Sequence, residues 1–367
     1  MQDSGQETHS LNDANISFLR VVLGTNNAPI KVLETIMKAI TLILLILTSH
    51  AYAIKLIDGP KSASEIETFN HYNTSLGLHK ATSLRRLPYM KSNYIPQGVY
   101  ITKTGSAYKS MYHKDARGIK SKPSIVSRYS VNTNKLERTY FLYKSKKTPY
   151  MGHVGGLAIS GKYIIVTHGK YIYFFNKNTA KRIKSNQYRA YYSHRKKLFF
   201  GSSKFTSAVS FLNIAKDHTG KNVLWTGEFK KNNTAMHIFG YYISAGKVST
   251  KPKYRFYVPA RIQNVQGVTL KKASKQQYQV LLATSYGDKP SYIYKITYNY
   301  HKPYYYKYKY LKTEIVFKGP AGAENLHATT TGVWTLFEAG ANYFQKRKKS
   351  PWRDNFPFLI RLKKSSL

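Results

Sequence analysis

Glu228, Glu324 and Glu338 stand out in a chain of 367 residues that carries 59 Lys and Arg but only 16 Asp and Glu. Each sits at the border of a short run of β-forming residues: Trp-Thr-Gly-Glu at 225–228, Ala-Glu-Asn-Leu at 323–326 and Phe-Glu-Ala-Gly at 337–340. Comparable borders carry Gln97, His153, Ser207 and Gln266 where runs open, and His168 and Ser285 where they end. Brought together, this set has three chemical uses. Carboxylates with Gln and Ser hydrogen-bond sugar hydroxyls while nearby Tyr or Trp stack on the sugar rings. Two carboxyls can act as general acid and base on a glycosidic bond, helped by Glu228 or His153, with their separation deciding the stereochemistry. Hard oxygen ligands can instead hold Ca²⁺. Against these stands a plainer use, in which the same groups hold loops and water in place.

The elements that would gather these residues are strands. Tyr163–Thr167, Tyr171–Phe175, Tyr278–Ala283 and Val333–Phe337 are short, rich in β-branched and aromatic residues, and bounded by Gly, Asn, Lys or Pro. One helix is expected, over Ala63–Phe69, with Ser64 as its cap and Glu65 and Glu67 in its first turn. The strands recur. Gln97-Gly98-Val99 resembles Gly155-Gly156-Leu157 and Gln266-Gly267-Val268, with Ser207-Ala208-Val209 and Glu324-Asn325-Leu326 as weaker copies. Several short strands per repeat at a near-constant period predict an all-β fold, a β-propeller. Five blades are expected, with the segments before Gln97 and after Glu324 sharing the last one; six result if each builds its own. In a propeller the first strand of a blade starts at the functional face and the second returns to it. Strand openers and second-strand enders therefore converge around the central pore, which is the reason for naming the nine residues above as a ligand-binding set.

The series Ile-Pro-Gln-Gly (95–98), Gly-His-Val-Gly-Gly (152–156), Val-Gln-Gly-Val (265–268) and Ala-Glu-Asn-Leu (323–326) resembles a family of secreted bacterial β-propeller proteins known best from actinobacteria. A weaker similarity, confined to the strand starts, is to the helveticin-J-like bacteriocin propellers of lactobacilli. That resemblance implies an antibacterial, envelope-directed role. The stretches Lys144–Lys147 and Asn299–Tyr310 depart from both patterns.

Other chemistries find little support. Without cysteine there is no disulfide, thiolate metal site or Cys nucleophile. No His-Glu-x-x-His spacing exists. Ala283-Thr-Ser285-Tyr-Gly287 looks like a nucleophile elbow, but another strand follows where the elbow needs a helix. Tyr306, Tyr308 and Tyr310 alternate with Lys307 and Lys309, a strip suited either to stacking on sugars or to a solvated outer strand. Lys outnumbers Arg 45 to 14, which argues against dedicated bidentate phosphate reading and against specific nucleic-acid recognition. The basic run Lys346–Lys349 reads as a surface loop or an envelope anchor.

Met37 to Ala53 has the three parts of a secretory signal: Lys38, an apolar stretch from Ala39 to Thr48, and the cleavage site Ala51-Tyr52-Ala53. On this reading residues 1–36 are a misassigned or disordered extension, 37–53 the signal peptide, and 54–367 one propeller domain. Removing residues 1–53 takes away Arg20, Lys31, Lys38, Asp3, Glu7, Asp13 and Glu34, and leaves 56 basic and 12 acidic residues, a net charge of +44. Such a field attracts polyanions, although an A/T-rich genome inflates Lys and Tyr by itself. The sequence thus leads to a secreted, monomeric, cationic propeller that binds an anionic polymer or glycan of the cell wall or membrane surface through its pore face, with Ca²⁺ as the one cofactor to consider. The alternative is an extracellular carbohydrate-active hydrolase or lyase using Glu324 and Glu338. Mass analysis of the exported protein is expected to place its first residue at Ile54; retention of residues 37–53 would show an uncleaved anchor instead.

Overall fold

The computed structural model describes residues 55–56, 59–198, 209–217, 219–229, 236–272, 274, 277–299, 310–347 and 353–367. Ser207, the Tyr306–Tyr310 strip up to residue 309 and the signal segment lie outside these residues.

A short strand β1 (Lys55–Leu56) is followed by helix α1 (Ala63–Tyr72) and strand β2 (Ala81–Arg86). The helix cap is Ser62, whose hydroxyl accepts from Glu65 N at 3.3 Å, and not Ser64 as expected from sequence. Ser64 instead lies inside the first turn, where its hydroxyl accepts from Asn355 Nδ2 at 2.9 Å. Blade I then comprises β3 (Tyr94–Ile101), β4 (Ser106–His113), β5 (Ile125–Ser130) and β6 (Leu136–Tyr143). Blade II comprises β7 (Leu157–Ser160), β8 (Tyr163–His168), β9 (Tyr171–Lys184) and β10 (Gln187–Lys197). In blade III, β11 (Val209–Lys216), β12 (Asn222–Glu228) and β13 (Met236–Ser244) are followed by the two-residue β14 (Lys247–Val248) and the outer strand β15 (Tyr254–Val258). Blade IV is β16 (Val265–Lys272), β17 (Gln277–Thr284), β18 (Ser291–Asn299) and β19 (Tyr310–Gly319). Blade V takes β20 (Ala323–Thr329), β21 (Gly332–Phe337) and β22 (Phe358–Lys363) from the C-terminal part and β2 and β1 from the N-terminal part.

The propeller therefore has five blades, and the two ends of the domain share the last. Strand β2 lies antiparallel to β22, with Leu84 opposite Ile360. Helix α1 holds the same join from outside. Arg86 reaches both Glu65 oxygens at 2.8 and 2.7 Å, and Tyr72 donates to Asp354 Oδ2 at 3.0 Å. Blades I and II are also tied edge to edge, because β6 pairs in parallel with β10 from Thr139–Gln187 to Tyr143–Tyr191. Parallel pairing is required there: every blade runs in the same up-and-down sense, so two fourth strands that meet must point the same way. The contact hides two edges that would otherwise be open to strand addition.

Around the axis the first strands approach very closely. A side chain at Gly156 would lie 2.2 Å from Leu212 N, and one at Gly267 would lie 2.4 Å from the Glu324 carbonyl. The channel between the strands is filled by the protein itself. Asn213 Nδ2 donates to the carbonyls of Val268 and Leu326 at 2.9 and 3.0 Å. Asn325 Nδ2 donates to Leu212 O at 3.0 Å and Val99 O at 3.4 Å. His327 Nδ1 lies 3.2 Å from Asn213 Oδ1. Inner strands of blades I, III, IV and V are thus cross-linked through two buried amides. Between the blades the core is apolar and aromatic, as where Phe256 of blade III lies against Tyr298 of blade IV, ring centroids 4.9 Å apart. Replacing Asn325 by Ala leaves two buried carbonyls without these donors, a loss of ~1–3 kcal/mol for each group left unsatisfied. Denaturant unfolding should show Asn325→Ala to be several-fold more costly than an Ala substitution at exposed Asn178.

Candidate functional site

Four of the five first strands carry an extra residue where they open. The register of each pair slips between Pro96 and Gly98, Val209 and Phe211, Val265 and Gly267, and Ala323 and Leu326. The extra residues are Gln97, Ser210, Gln266 and the Glu324–Asn325 pair. A bulge turns its side chain out of the regular alternation, and here the turned side chains gather above the sealed channel. In blade III it is Ser210, three positions after Ser207, that occupies the bulge. The sequence repeat points to Ser207 instead, because Ser-Ala-Val imitates Gln-Gly-Val better than Ser-Phe-Leu does. In blade II the corresponding position is Gly155, whose N donates to Thr167 O at 3.2 Å, so His153 stands two residues before it.

The densest part of the face lies where blade V meets blade I. Gln97 is fully buried and donates through Nε2 to Glu338 Oε1. Glu324 is 2 % exposed. Burial raises the Glu324 carboxyl well above its ordinary range, and the charge of Glu338 adds to the effect. The Glu338 carboxyl is pushed up to about 8, again chiefly by burial, while the Gln97 amide and the Lys114 ammonium pull it back. The two carboxyls thus form one interacting pair that keeps hold of protons at neutral pH. Within the pair, Glu338 has the neighbours that favour the anion, and Glu324 has burial and a carboxylate against it. Glu338 is the member that ionises first.

Tyr112, at the end of the second strand of blade I, completes this floor. It is 3 % exposed, and its phenol is raised by burial and then by the charges of Glu338 and Glu324. His153 lies against it, ring centroids 4.4 Å apart. The imidazole of His153 is reachable by solvent although protein groups crowd it on most sides. The crowding, with Lys120, His168 and Lys114, keeps it neutral by holding its pKa well below the usual value. His168 Nδ1 accepts from His153 N at 3.1 Å, which puts the proton of neutral His168 on Nε2. Lys114 and Lys120 stand at the rim, 5.8 and 5.4 Å from the centre of the Tyr112 ring. The loop that carries them is shaped by Asp115, whose Oδ1 accepts from the N–H groups of Arg117 and Ile119 at 3.0 and 2.9 Å. The result is a cup with two proton-holding carboxyls and a phenol on its floor, neutral imidazoles on one wall and ammonium groups at its edge.

The structure brings together Gln97, His153, His168, Glu324 and Glu338 from the sequence-derived set. Gln266 is engaged one blade away, where its Oε1 accepts from Ser210 Oγ at 3.0 Å. Ser285 is structural: its hydroxyl accepts from Gly322 N at 2.8 Å and so joins blade IV to blade V. Glu228 ends the second strand of blade III in register with Val209. Among the described residues, no group of three or more acidic or histidine side chains has the spacing to hold a metal ion. Tyr112, Lys114 and Lys120 were missed. Applying the second-strand rule to blade I as well would have found Tyr112; the lysines lie on a loop in a chain full of lysines and give no signal.

No protein-family profile and no curated protein sequence matches the chain. Similar solved structures include an exo-β-1,3-galactanase from Phanerochaete chrysosporium, at 10 % identity and TM-score 0.38, over 72 % of this chain and 58 % of that one. A GH43 β-1,3-galactosidase matches at 10 % identity and TM-score 0.39, over 72 % and 55 %. A virginiamycin B lyase from Staphylococcus aureus matches at 11 % identity and TM-score 0.37, over 76 % and 98 %. This chain spans a little over half the length of the two glycosidases.

The floor makes a stability prediction. The folded pKa of Glu338 lies above its ordinary 4.5, so the folded state binds more protons than the unfolded one. The associated stability is complete below about pH 4.5 and is lost as pH rises through about 8. Glu338→Gln, which keeps the acceptor for Gln97 but cannot ionise, should therefore melt progressively higher than the parent as pH is raised from 6 to 9. Parallel melting curves would show that the carboxyl is not held protonated.

Proposed function

We propose that the protein is an extracellular carbohydrate-active enzyme acting in the blade V–blade I cup on a saccharide that carries anionic groups. The observation that carries this reading is the interacting pair of buried Glu324 and half-buried Glu338, two carboxyls in distinct environments in a protein that has few. Environments that push two carboxyls apart are what acid–base chemistry at a glycosidic oxygen or a sugar C–H requires. Glu338, aided by Gln97 and Lys114, serves as base when ionised, and Glu324, the deeper group, keeps its proton and serves as acid. Neutral His153 and the Tyr112 phenol offer a hydrogen-bonding wall, and Lys114 and Lys120 hold the anionic groups at the rim. A Ca²⁺ ion fits this floor poorly, since the burial that keeps the carboxyls protonated opposes the ionised form that a hard cation needs.

The second reading is binding without turnover, at the same face, to an anionic polymer of the cell envelope. It is favoured by the near-complete burial of Glu324 and by the two rim lysines. Secretion and wall association belong to both readings and rest on the signal segment and the net charge.

Turnover separates the two. Purified 54–367 is incubated with neutral and acidic polysaccharides, and new reducing ends or unsaturated sugar products are followed. Product is expected on an acidic glycan, lowered about 10²–10⁴-fold in Glu338→Gln and in Glu324→Gln. Its rate should rise with pH toward about 8 as the Glu338 carboxyl ionises. No product on any polysaccharide, together with binding that Lys114→Ala and Lys120→Ala weaken, would replace the enzyme with the binding protein.

A further inference from the structure

The face opposite the cup carries a second polar feature. Thr331 lies in the turn that joins the first two strands of blade V, while Glu324 opens the first of them and Glu338 follows the second. A strand of this length separates the two ends by about 20 Å. At the far end, blades IV and V border a shallow, open groove of ≈ 570 Å³ lined by Thr82, Lys271, Thr331, Arg361, Lys363 and Lys364. Four of these side chains are cations, and no carboxylate is among them.

Arg361 is fixed. Its Nε donates to Thr82 Oγ1 at 2.9 Å, its Nη1 reaches Thr331 Oγ1 at 3.5 Å, and its guanidinium carbon stands 5.6 Å from the centre of the Trp334 ring. Trp334 is almost fully buried, so the arginine rests on a rigid support. Further guanidinium donors remain beyond these two bonds. Lys271 feels its neighbours: burial first, then the charges of Lys364 and Lys295, hold its ammonium below the ordinary value. Glu314, on the outer strand of blade IV, is bridged by Lys295 and Lys312. Like charges held this close cost stability, and an oxyanion between them removes that cost.

We propose that this groove is a binding site for the phosphate or sulfate groups of an anionic polymer, distinct from the cup and independent of any turnover there. Arg361 supplies a pre-oriented fork, and Lys271 and Lys364 supply point charges on either side. Retention of the protein on a polyanion would then depend on the back face and leave the cup open.

Binding of 54–367 to inorganic polyphosphate and to dextran sulfate is measured by titration across a salt series. The protein is compared with Lys271→Ala/Lys364→Ala, with Arg361→Lys, and with Lys181→Ala/Lys184→Ala. The last removes the same charge from the exposed tip of the β9–β10 hairpin. The groove double variant should bind at least about tenfold more weakly, and its salt slope should fall by about one for each lysine removed. Arg361→Lys should weaken binding at unchanged net charge, and the hairpin variant should bind nearly as the parent. Preference for polyphosphate or dextran sulfate identifies which oxyanion the groove takes. Equal losses in the groove and hairpin variants would mean that net charge alone retains the polymer, and would overturn the proposal. So would an Arg361→Lys variant indistinguishable from the parent, given melting curves that show all variants folded.

Discussion

Five first strands meeting at van der Waals distance around one axis set the terms for everything else in this protein. With five blades the central channel is narrow, and Gly98, Gly156 and Gly267 are what allow neighbouring backbones to come together there. The carbonyls left facing the axis need donors, and Asn213 and Asn325 provide them across the channel. These amides occupy the axis, and the polar residues at strand starts are lifted by bulges onto the face above. The cup is a by-product of the way the ring closes.

Within that cup, environment decides chemistry more than residue type does. A net charge of +43 on the chain would suggest ionised glutamates everywhere. Yet Glu324 and Glu338 are protected from most of those cations by burial, with Lys114 the one whose pull on Glu338 is felt. Glu65 shows the opposite outcome. Desolvation acts on it too, but a two-point contact with Arg86 and the N–H groups of Lys61 and Ser62's turn outweigh it and keep it ionised. One carboxylate in this chain fastens the ring, and another pair is held back from ionising.

The fold was legible because a propeller writes its period into the sequence. Gln-Gly-Val and Gly-Gly-Leu recur for a steric reason, the close approach of the first strands, and the convergence of first-strand starts with second-strand ends then placed Gln97, Glu324 and Glu338 at one end of the ring. What was not legible came from local geometry. Ser62 rather than Ser64 caps the helix because Ser62 keeps the extended backbone that a cap needs. Ser210 replaces Ser207 because a bulge, which has no fixed sequence signature, sets the register. Lys114 and Lys120 acquire their place from a turn around Asp115. Residue types and spacing mark candidate carboxyls, but only packing brings two of them into one proton-holding pair.

Blade V is built from both ends of the domain, and the cup lies on the join between it and blade I. Gln97 and Tyr112 belong to the part of the chain made first, while Glu324, Glu338 and β22 belong to the part made last. A chain synthesised from its N-terminus therefore holds half a site for most of its synthesis, and completes it only when the final strand slides between β21 and β2.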